Sequence, residues 1–307
     1  MQRVHLIAIG EAAMYNLAIA LSKRSNYLIS GSYDTIEESA HAILKKHRLL
    51  PDKQGWFPDN ITRNLSAIVV GPDAKADNPE LLRAKELGLK VHTMPEYLFI
   101  QTRNKTRIVI SGSHRRCSVM TMILHVLKKQ RIDSDYYFYK SVCDNENPVK
   151  LSYDARVAVL EGDEKQTSPI DSKPIFHQFK PHIAVITGID KEIEHTYHDF
   201  EQYLDQYREF INLMEMQGRL IFHQNDKNIG LLVEKLRRDI VPFPYGMPPY
   251  QVIDGITNIV SRKIKIPLKI SGDELMQDLN AARLACRQIG ISEDQFNHAI
   301  ADYQIKI

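Results

Sequence analysis

Residues 107–118 read Arg-Ile-Val-Ile-Ser-Gly-Ser-His-Arg-Arg-Cys-Ser, an apolar strand run entering a turn that carries most of the chemistry in this chain. A phosphate-binding loop needs small glycines so that backbone N–H groups can close on an anion. It also needs a lysine for the outer phosphates and a Ser/Thr hydroxyl for Mg²⁺. Gly112 keeps that frame, but Arg115 stands at the place of a glycine, Arg116 at that of the lysine and Cys117 at that of the hydroxyl. Arginine keeps the charge but not the point-charge geometry of lysine. A thiol is a poor ligand for Mg²⁺, which prefers hard oxygen donors. Gly112, Ser113, His114, Arg115, Arg116, Cys117 and Ser118 are therefore read as an ATP-loop-like anion site that works without metal, since arginines at a helix N-terminus bind phosphate unaided. The competing reading is a solvated basic helix start with no ligand. Cys117 beside two arginines is a candidate nucleophile; with no general base to name, it is read as packed and inert.

Three further groups could do chemistry. Glu161, Asp163 and Glu164 close an apolar run as metal-capable acids. The opening turn Gly10-Glu11-Ala12-Ala13-Met14 keeps one glycine and two residues small enough for close helix–strand packing, although Glu11 would meet a pyrophosphate with like charge. Ser30, Ser32 and Asp34 lie at the next strand end, where nucleotide folds bind ribose or sugar groups. His195 and His198, with His177 and His182 nearby, are read as surface or core histidines, because no second ligand pair accompanies them.

The elements that must position these groups follow from pattern. Short apolar runs at 4–9, 27–30, 67–70 and 89–92 alternate with helical patterns at 12–21, 36–46 and 95–101, so the first ~100 residues read as a parallel α/β sheet. Asn78-Pro79-Glu80 is a helix start, with an Asn cap and Pro at the first position. A polar stretch at 101–106 is taken as the boundary between domains 1–103 and 104–307. In the second unit, strands are expected at 108–110, 156–160, 183–187 and 220–223, and helices at 117–129, 200–216 and 228–238. The four prolines between Pro242 and Pro249 read as a loop, 251–270 as β-rich, and Ser271 as the cap of a helix to Ile289.

Several blocks in order resemble the Mur ligases, nearest to the members that join L-alanine or a murein tripeptide to UDP-N-acetylmuramate. They are His5–Ala18, Ile29–Ser32, Val70–Glu80, Gly112–His114, Leu160–Glu164 and Gly272–Ile291. The resemblance implies a Rossmann-like N-terminal domain and a phosphate-loop-like central domain. It makes Gly10, Ala12, Ala13, Met14, Ser30, Ser32 and Asp34 candidates for a UDP-sugar. It also implies that the family's third domain, which binds the incoming amino acid, is missing, so that a separate protein could supply it. The family's metal-site histidine falls at Ile193 and its His-Asn pair at Glu274-Leu275. With the loop exchanges, these departures point to a catalytically inactive relative for which ATP and Mg²⁺ are doubtful. The alternatives are an active ATP-dependent ligase completed by that separate domain and, more weakly, an oxidoreductase using the first domain alone.

Composition agrees with an ordinary globular chain: 307 residues suit two domains, with 43% hydrophobic and 25% charged residues. A net charge of +2 gives no reason to expect nucleic acid or acidic lipid as a partner. No apolar run nears the ~20 residues of a membrane helix, and three scattered cysteines are expected in a reducing cytoplasm.

Overall fold

The structure is a computed structural model describing residues 1–304 apart from 73, 140–146, 169, 191–196, 198 and 262–263. The first unit runs β1 (Gln2–Ile7), α1 (Ala12–Ser22), β2 (Tyr27–Ser32), α2 (Glu38–Lys46), β3 (Ala67–Val70), α3 (Pro79–Glu86), β4 (Val91–Thr93) and α4 (Met94–Thr102). Its four strands are parallel in the order β2-β1-β3-β4. The chain passes from β2 back across β1 to β3, so the strand order reverses beside β1. Ligands of such sheets sit outside the C-terminal strand ends at that reversal. Asn78 caps α3 by accepting from the N–H groups of Glu80 and Leu81, as its sequence implied.

The second unit contains β5 (Thr106–Ser111), α5 (Arg116–Lys129), β6 (Ser134–Tyr137), β7 (Val149–Lys150), β8 (Val157–Glu161), the hairpin β9 (Gln166–Ser168) and β10 (Asp171–Pro174), and β11 (Ile183–Ile186). There follow α6 (Phe200–Asn212), β12 (Arg219–His223), α7 (Lys227–Val233), β13 (Val241–Tyr245), β14 (Tyr250–Ile253), β15 (Ile256–Ser261), β16 (Ile264–Pro267), α8 (Asp273–Gln288) and α9 (Glu293–Ile300). The seven-stranded sheet has the order β13-β12-β11-β5-β8-β6-β7, and only β7 runs antiparallel. Strands β8 and β11 are buried along their whole length, as expected for parallel strands covered on both faces. Because β5 lies between β8 and β11, the loop after it opens at a second switch point. The acids ending β8 and the residues following β11 flank it from either side.

The mixed α/β class with parallel sheets is as expected; several local readings differ. The proline run is not all loop: Val241–Tyr245 forms β13, parallel to β12. This strand is at the sheet edge, and Val241 N–H reaches Gly218 O while the Pro242 and Pro244 nitrogens face outward, where no hydrogen bond is lost. Strand β2 runs through Gly31 instead of stopping there, because its pairing with β1 continues to Ser32; a Cβ at Gly31 would press within 2.8 Å of the Ile9 side chain, so the glycine serves close packing. The N-cap of α8 is Gly272 at φ 99°, not Ser271. Helix α6 ends at Asn212 and does not reach Met216, which is 83% exposed.

One apolar cluster runs through both units, including Val4, Leu6 and Leu17 from the first and Val109, Ala158 and Ala184 from the second. The link between them is tied down by Arg107, which is fully buried and donates to the carbonyls of Thr102, Arg103, Phe179 and Lys180. Charge-assisted hydrogen bonds of this kind contribute about 1.5–3 kcal/mol each. Among the described residues, no helix is long and apolar enough to cross a membrane.

Candidate functional site

The turn after β5 keeps phosphate-loop backbone geometry. Gly112 has φ 131°, and a Cβ there would lie 2.3 Å from Thr187 Oγ1 and 2.9 Å from Gly188 O. Both the dihedral and the space therefore demand glycine. The segment after β11 holds the loop: Ser113 N donates to Gly188 O at 2.9 Å, and Thr187 Oγ1 donates to His114 O at 2.6 Å. Asp190 N donates to Ser113 Oγ at 3.0 Å, and exposed His114 lies 2.9 Å from Asp190 Oδ2. Arg115, at the N-cap of α5, holds φ 66°. A side chain in this left-handed region costs roughly 1–2 kcal/mol, so a glycine-type position has been kept and filled with arginine.

The two arginines do not form an open anion clamp, and this corrects the reading from sequence. Arg116 donates from Nε to Glu161 Oε1 at 3.1 Å, from Nη2 to Asp163 Oδ2 at 2.6 Å and from Nη1 to Glu164 Oε2 at 2.9 Å. Its Nη1 also reaches Gly112 O at 2.5 Å. Burial opposes the Arg116 charge, but the carboxylates of Glu164, Asp163 and Glu161 outweigh it and raise the guanidinium above its ordinary range. Glu164 goes the other way for an acid: burial lifts it above the usual carboxylate range, and the Arg116 charge offsets this only in part. Tyr203 and Tyr207 hydroxyls complete Glu164 Oε1 at 2.8 and 3.2 Å. Glu161 Oε2 accepts from Tyr139 N at 2.8 Å, and Cys117 Sγ lies 4.0 Å from both Glu161 oxygens. Cys117 is thus placed against a carboxylate as well as beside an arginine.

Arg115 turns to α8. Its Nε and Nη2 donate to Asp278 Oδ1 at 3.0 and 2.7 Å, and Nη2 also contacts Glu274 O. Asp278 is 2% exposed, and burial raises its pKa despite the opposing pull of Arg115. Ser118 lies in the first turn of α5, one step behind Arg115–Cys117. Mg²⁺ does not fit this arrangement, because the Arg116 guanidinium stands among the acids that would hold it. Among the described residues, no group of three or more His, Cys, Asp or Glu side chains is placed to hold a metal ion.

The turn after β1 repeats the theme with opposite charge. Ala8 holds φ 66°, again a glycine-type conformation carrying a Cβ. Glu11 begins α1, accepting from Met14 N and Tyr15 N through its carbonyl. Its carboxylate lies over Gly71 after β3, where a Cβ would come within 2.8 Å of both oxygens. The negative charge is therefore at the helix N-terminus, at the strand ends where a ligand phosphate would otherwise sit.

Of the sugar-site candidates, Gly10 and Ala13 are half-buried and Ala12 is exposed at this turn. Met14 is fully buried in the core cluster, so it cannot contact a ligand. Ser30 Oγ is bonded to His5 and Ser32 Oγ to Glu80, while Ser32 O accepts from Ile9 N beside the turn. Asp34 Oδ1 accepts from Thr35 N at 2.7 Å. His177 and His182 are structural: His177 Nε2 pairs with Gln206 O at 2.8 Å, and His182 Nδ1 accepts from Arg107 N at 3.2 Å. Ile193, His195, His198 and Cys143 lie outside the described residues. Sequence reasoning missed Asp278, the tyrosines of α6 and the His5–Glu80 pair. Only Glu80 carried a signal, and that signal was of a helix start.

No protein-family model matches the chain. The chain is 26% identical over 318 residues to UDP-N-acetylmuramate--L-alanine ligase of Carboxydothermus hydrogenoformans, a match covering 99% of this chain and 65% of that protein. The enzyme of the same name from Caldicellulosiruptor saccharolyticus is 26% identical over 319 residues, covering 99% of this chain and 67% of that one. Over nearly its whole length the chain is similar in sequence to Mur ligases. It spans about two thirds of the length of these relatives. Among solved structures, the UDP-N-acetylmuramate:L-alanyl-gamma-D-glutamyl-meso-diaminopimelate ligase of Neisseria meningitides shares the fold with a TM-score of 0.81 at 16% identity, covering 99% of this chain and 98% of that one. The UDP-N-acetylmuramate-alanine ligase of Thermotoga maritima does so with a TM-score of 0.70 at 18% identity, covering 98% and 68%. Both turns hold left-handed backbone at a residue with a side chain, Ala8 in the first and Arg115 in the second.

Proposed function

We propose that this Mur ligase relative serves peptidoglycan-precursor metabolism as a non-catalytic binding protein. Its ATP loop is closed by its own arginines, and its remaining small-molecule ligand is a UDP-sugar held by the first unit. The observation that carries the reading is Arg116, whose guanidinium bonds Glu161, Asp163, Glu164 and the Gly112 carbonyl together. Ligation by phosphoryl transfer to a carboxylate depends on positioned phosphates and a metal to neutralise developing charge. Here the fixed cation of Arg116 supplies the neutralisation internally. It occupies the place among the acids that Mg²⁺ would take, so the metal could enter only by displacing a guanidinium held by three ion pairs. Arg115 adds a side chain where backbone must approach phosphate, and its pairing with Asp278 anchors it there.

UDP-N-acetylmuramate appears in the names of the curated relatives, and the parallel sheet with its Gly10 turn supports the same ligand class here. Glu11 makes that binding weak, because its carboxylate faces the pyrophosphate position. Calorimetric titration with UDP-N-acetylmuramate tests the reading. Binding without any requirement for ATP or Mg²⁺ supports it. No binding would overturn the UDP-sugar assignment and leave a protein-interaction role. The rival reading, an active ligase completed by a separately supplied third domain, requires Mg²⁺-dependent ATP binding.

A further inference from the structure

On the opposite side of the first sheet from α1, the register of β1 and β2 sets His5 beside Ser30. His5 Nδ1 is 2.9 Å from Ser30 Oγ, and His5 Nε2 is 3.2 Å from Glu80 Oε2. Ser30 is exposed, whereas His5 is 1% and Glu80 0% exposed. Glu80 Oε1 accepts from Phe57 N at 2.7 Å, and Ser32 Oγ also donates to Oε2. We propose that Ser30, His5 and Glu80 form a second, hydrolytic site, in which Ser30 is a nucleophile toward carboxylic esters and His5 is its general base.

The hydrogen bonds determine the proton positions. Burial pushes Glu80 up, but the bonds from His5, Ser32 and Phe57 N–H together hold it below the ordinary carboxylate range, so it stays an ionised acceptor. The nitrogen facing it, Nε2, must then carry the proton, which leaves the Nδ1 lone pair for the Ser30 hydroxyl. This is nucleophile, base and orienting acid in hydrogen-bond reach, a constellation recognised by geometry and not by chain order. Ser30 Oγ adds to the ester carbonyl carbon while its proton passes to Nδ1. The bond to the leaving alcohol breaks as Nδ1 returns that proton to it, giving acyl-Ser30. Water, deprotonated by the same nitrogen, then releases the carboxylic acid. Strand β2 is the edge of its sheet, which leaves Ser30 open to solvent on that side. Leu28, 49% exposed, and exposed Arg3 lie one register step back on the same face. They favour an ester with an apolar acyl part and an anionic end.

The intact protein, incubated with p-nitrophenyl acetate, tests this. The expected result is p-nitrophenolate release with a single acetyl group on the Ser30 peptide by mass spectrometry. Ser30→Ala, an exposed change, abolishes the adduct, and His5→Gln slows its formation ~100-fold or more. Acetylation confined to lysines, or unchanged in Ser30→Ala, overturns the proposal. Should His5→Gln not fold, Ser30→Cys decides: its alkylation by iodoacetamide should have a midpoint well below that of a free thiol, because a neighbouring imidazole stabilises the thiolate. A profile centred near the free-thiol value of about 8.5 overturns it. Glu80 acts as a positioning residue, so Glu80→Gln should displace the midpoint of that profile; an unmoved midpoint removes Glu80 from the site.

Discussion

Replacing Arg116 by methionine removes the guanidinium and leaves most of its stem. The side chain is 16% exposed, and its partners Glu161, Asp163 and Glu164 are 5%, 6% and 16% exposed. Breaking a buried pair by deleting one partner costs about 3–5 kcal/mol, because the other charge is left without compensation. Three acids share this one cation, so Arg116→Met should reach at least the lower end of that range at pH 7 in urea unfolding. The pH dependence is the sharper signature. Glu164 already has a raised pKa from burial, partly offset by Arg116. Removing Arg116 raises it further. A raised acid contributes stability that is full below its unfolded value, 4.5, and is lost as pH rises through its folded value. The variant's deficit should therefore be smallest near pH 5 and grow toward pH 7, by about 1.4 kcal/mol for each added pKa unit. The vacated acids should also accept a divalent cation. Mg²⁺ at ten times its Kd would restore about 1.4 kcal/mol to the variant and nothing to the wild type. A deficit under about 1 kcal/mol at pH 7, or one independent of pH, would refute the claim that Arg116 compensates a buried acid cluster.

Other substitutions probe the remaining parts. Gly112→Ala should destabilise by at least ~3 kcal/mol in chemical denaturation, since it meets both a glycine-only φ and the Thr187 hydroxyl. Arg115→Gly relieves the left-handed φ but orphans buried Asp278, for a net loss of about 1–2 kcal/mol. Adding Asp278→Leu should recover that loss, and a double mutant no better than the single would show that the pair is not coupled. Glu11→Ala removes the carboxylate over Gly71 and should tighten UDP-N-acetylmuramate about tenfold by calorimetry, as expected for one like charge near the pyrophosphate. An unchanged Kd would place the ligand elsewhere.

The sequence made some of this legible because the signals were local. Gly112 after an apolar run, and Asn78-Pro79 before a helix, report their own backbone needs within a few residues. The proline strand β13 was misread because proline argues against a central strand, while its position at the edge depends on where the sheet ends. The site itself was readable as a list of residues but not as an arrangement. Arg116 meets Glu161 across 45 positions, and Arg115 meets Asp278 across 163. Those partners come together only because β5 lies between β8 and β11 and α8 packs against α5. Arginines at a helix N-terminus look like an anion site until the acids facing them are known. Glu80 shows the same limit, since its capping-region signal said nothing of His5, 75 positions away.

The most direct test of the closed loop is calorimetric titration of the wild-type protein with ATP in the presence of Mg²⁺, with the triple variant Arg115→Gly, Arg116→Lys, Cys117→Thr alongside. The account predicts no saturable heat for the wild type. Saturable, Mg²⁺-dependent ATP binding by the wild-type chain would contradict it.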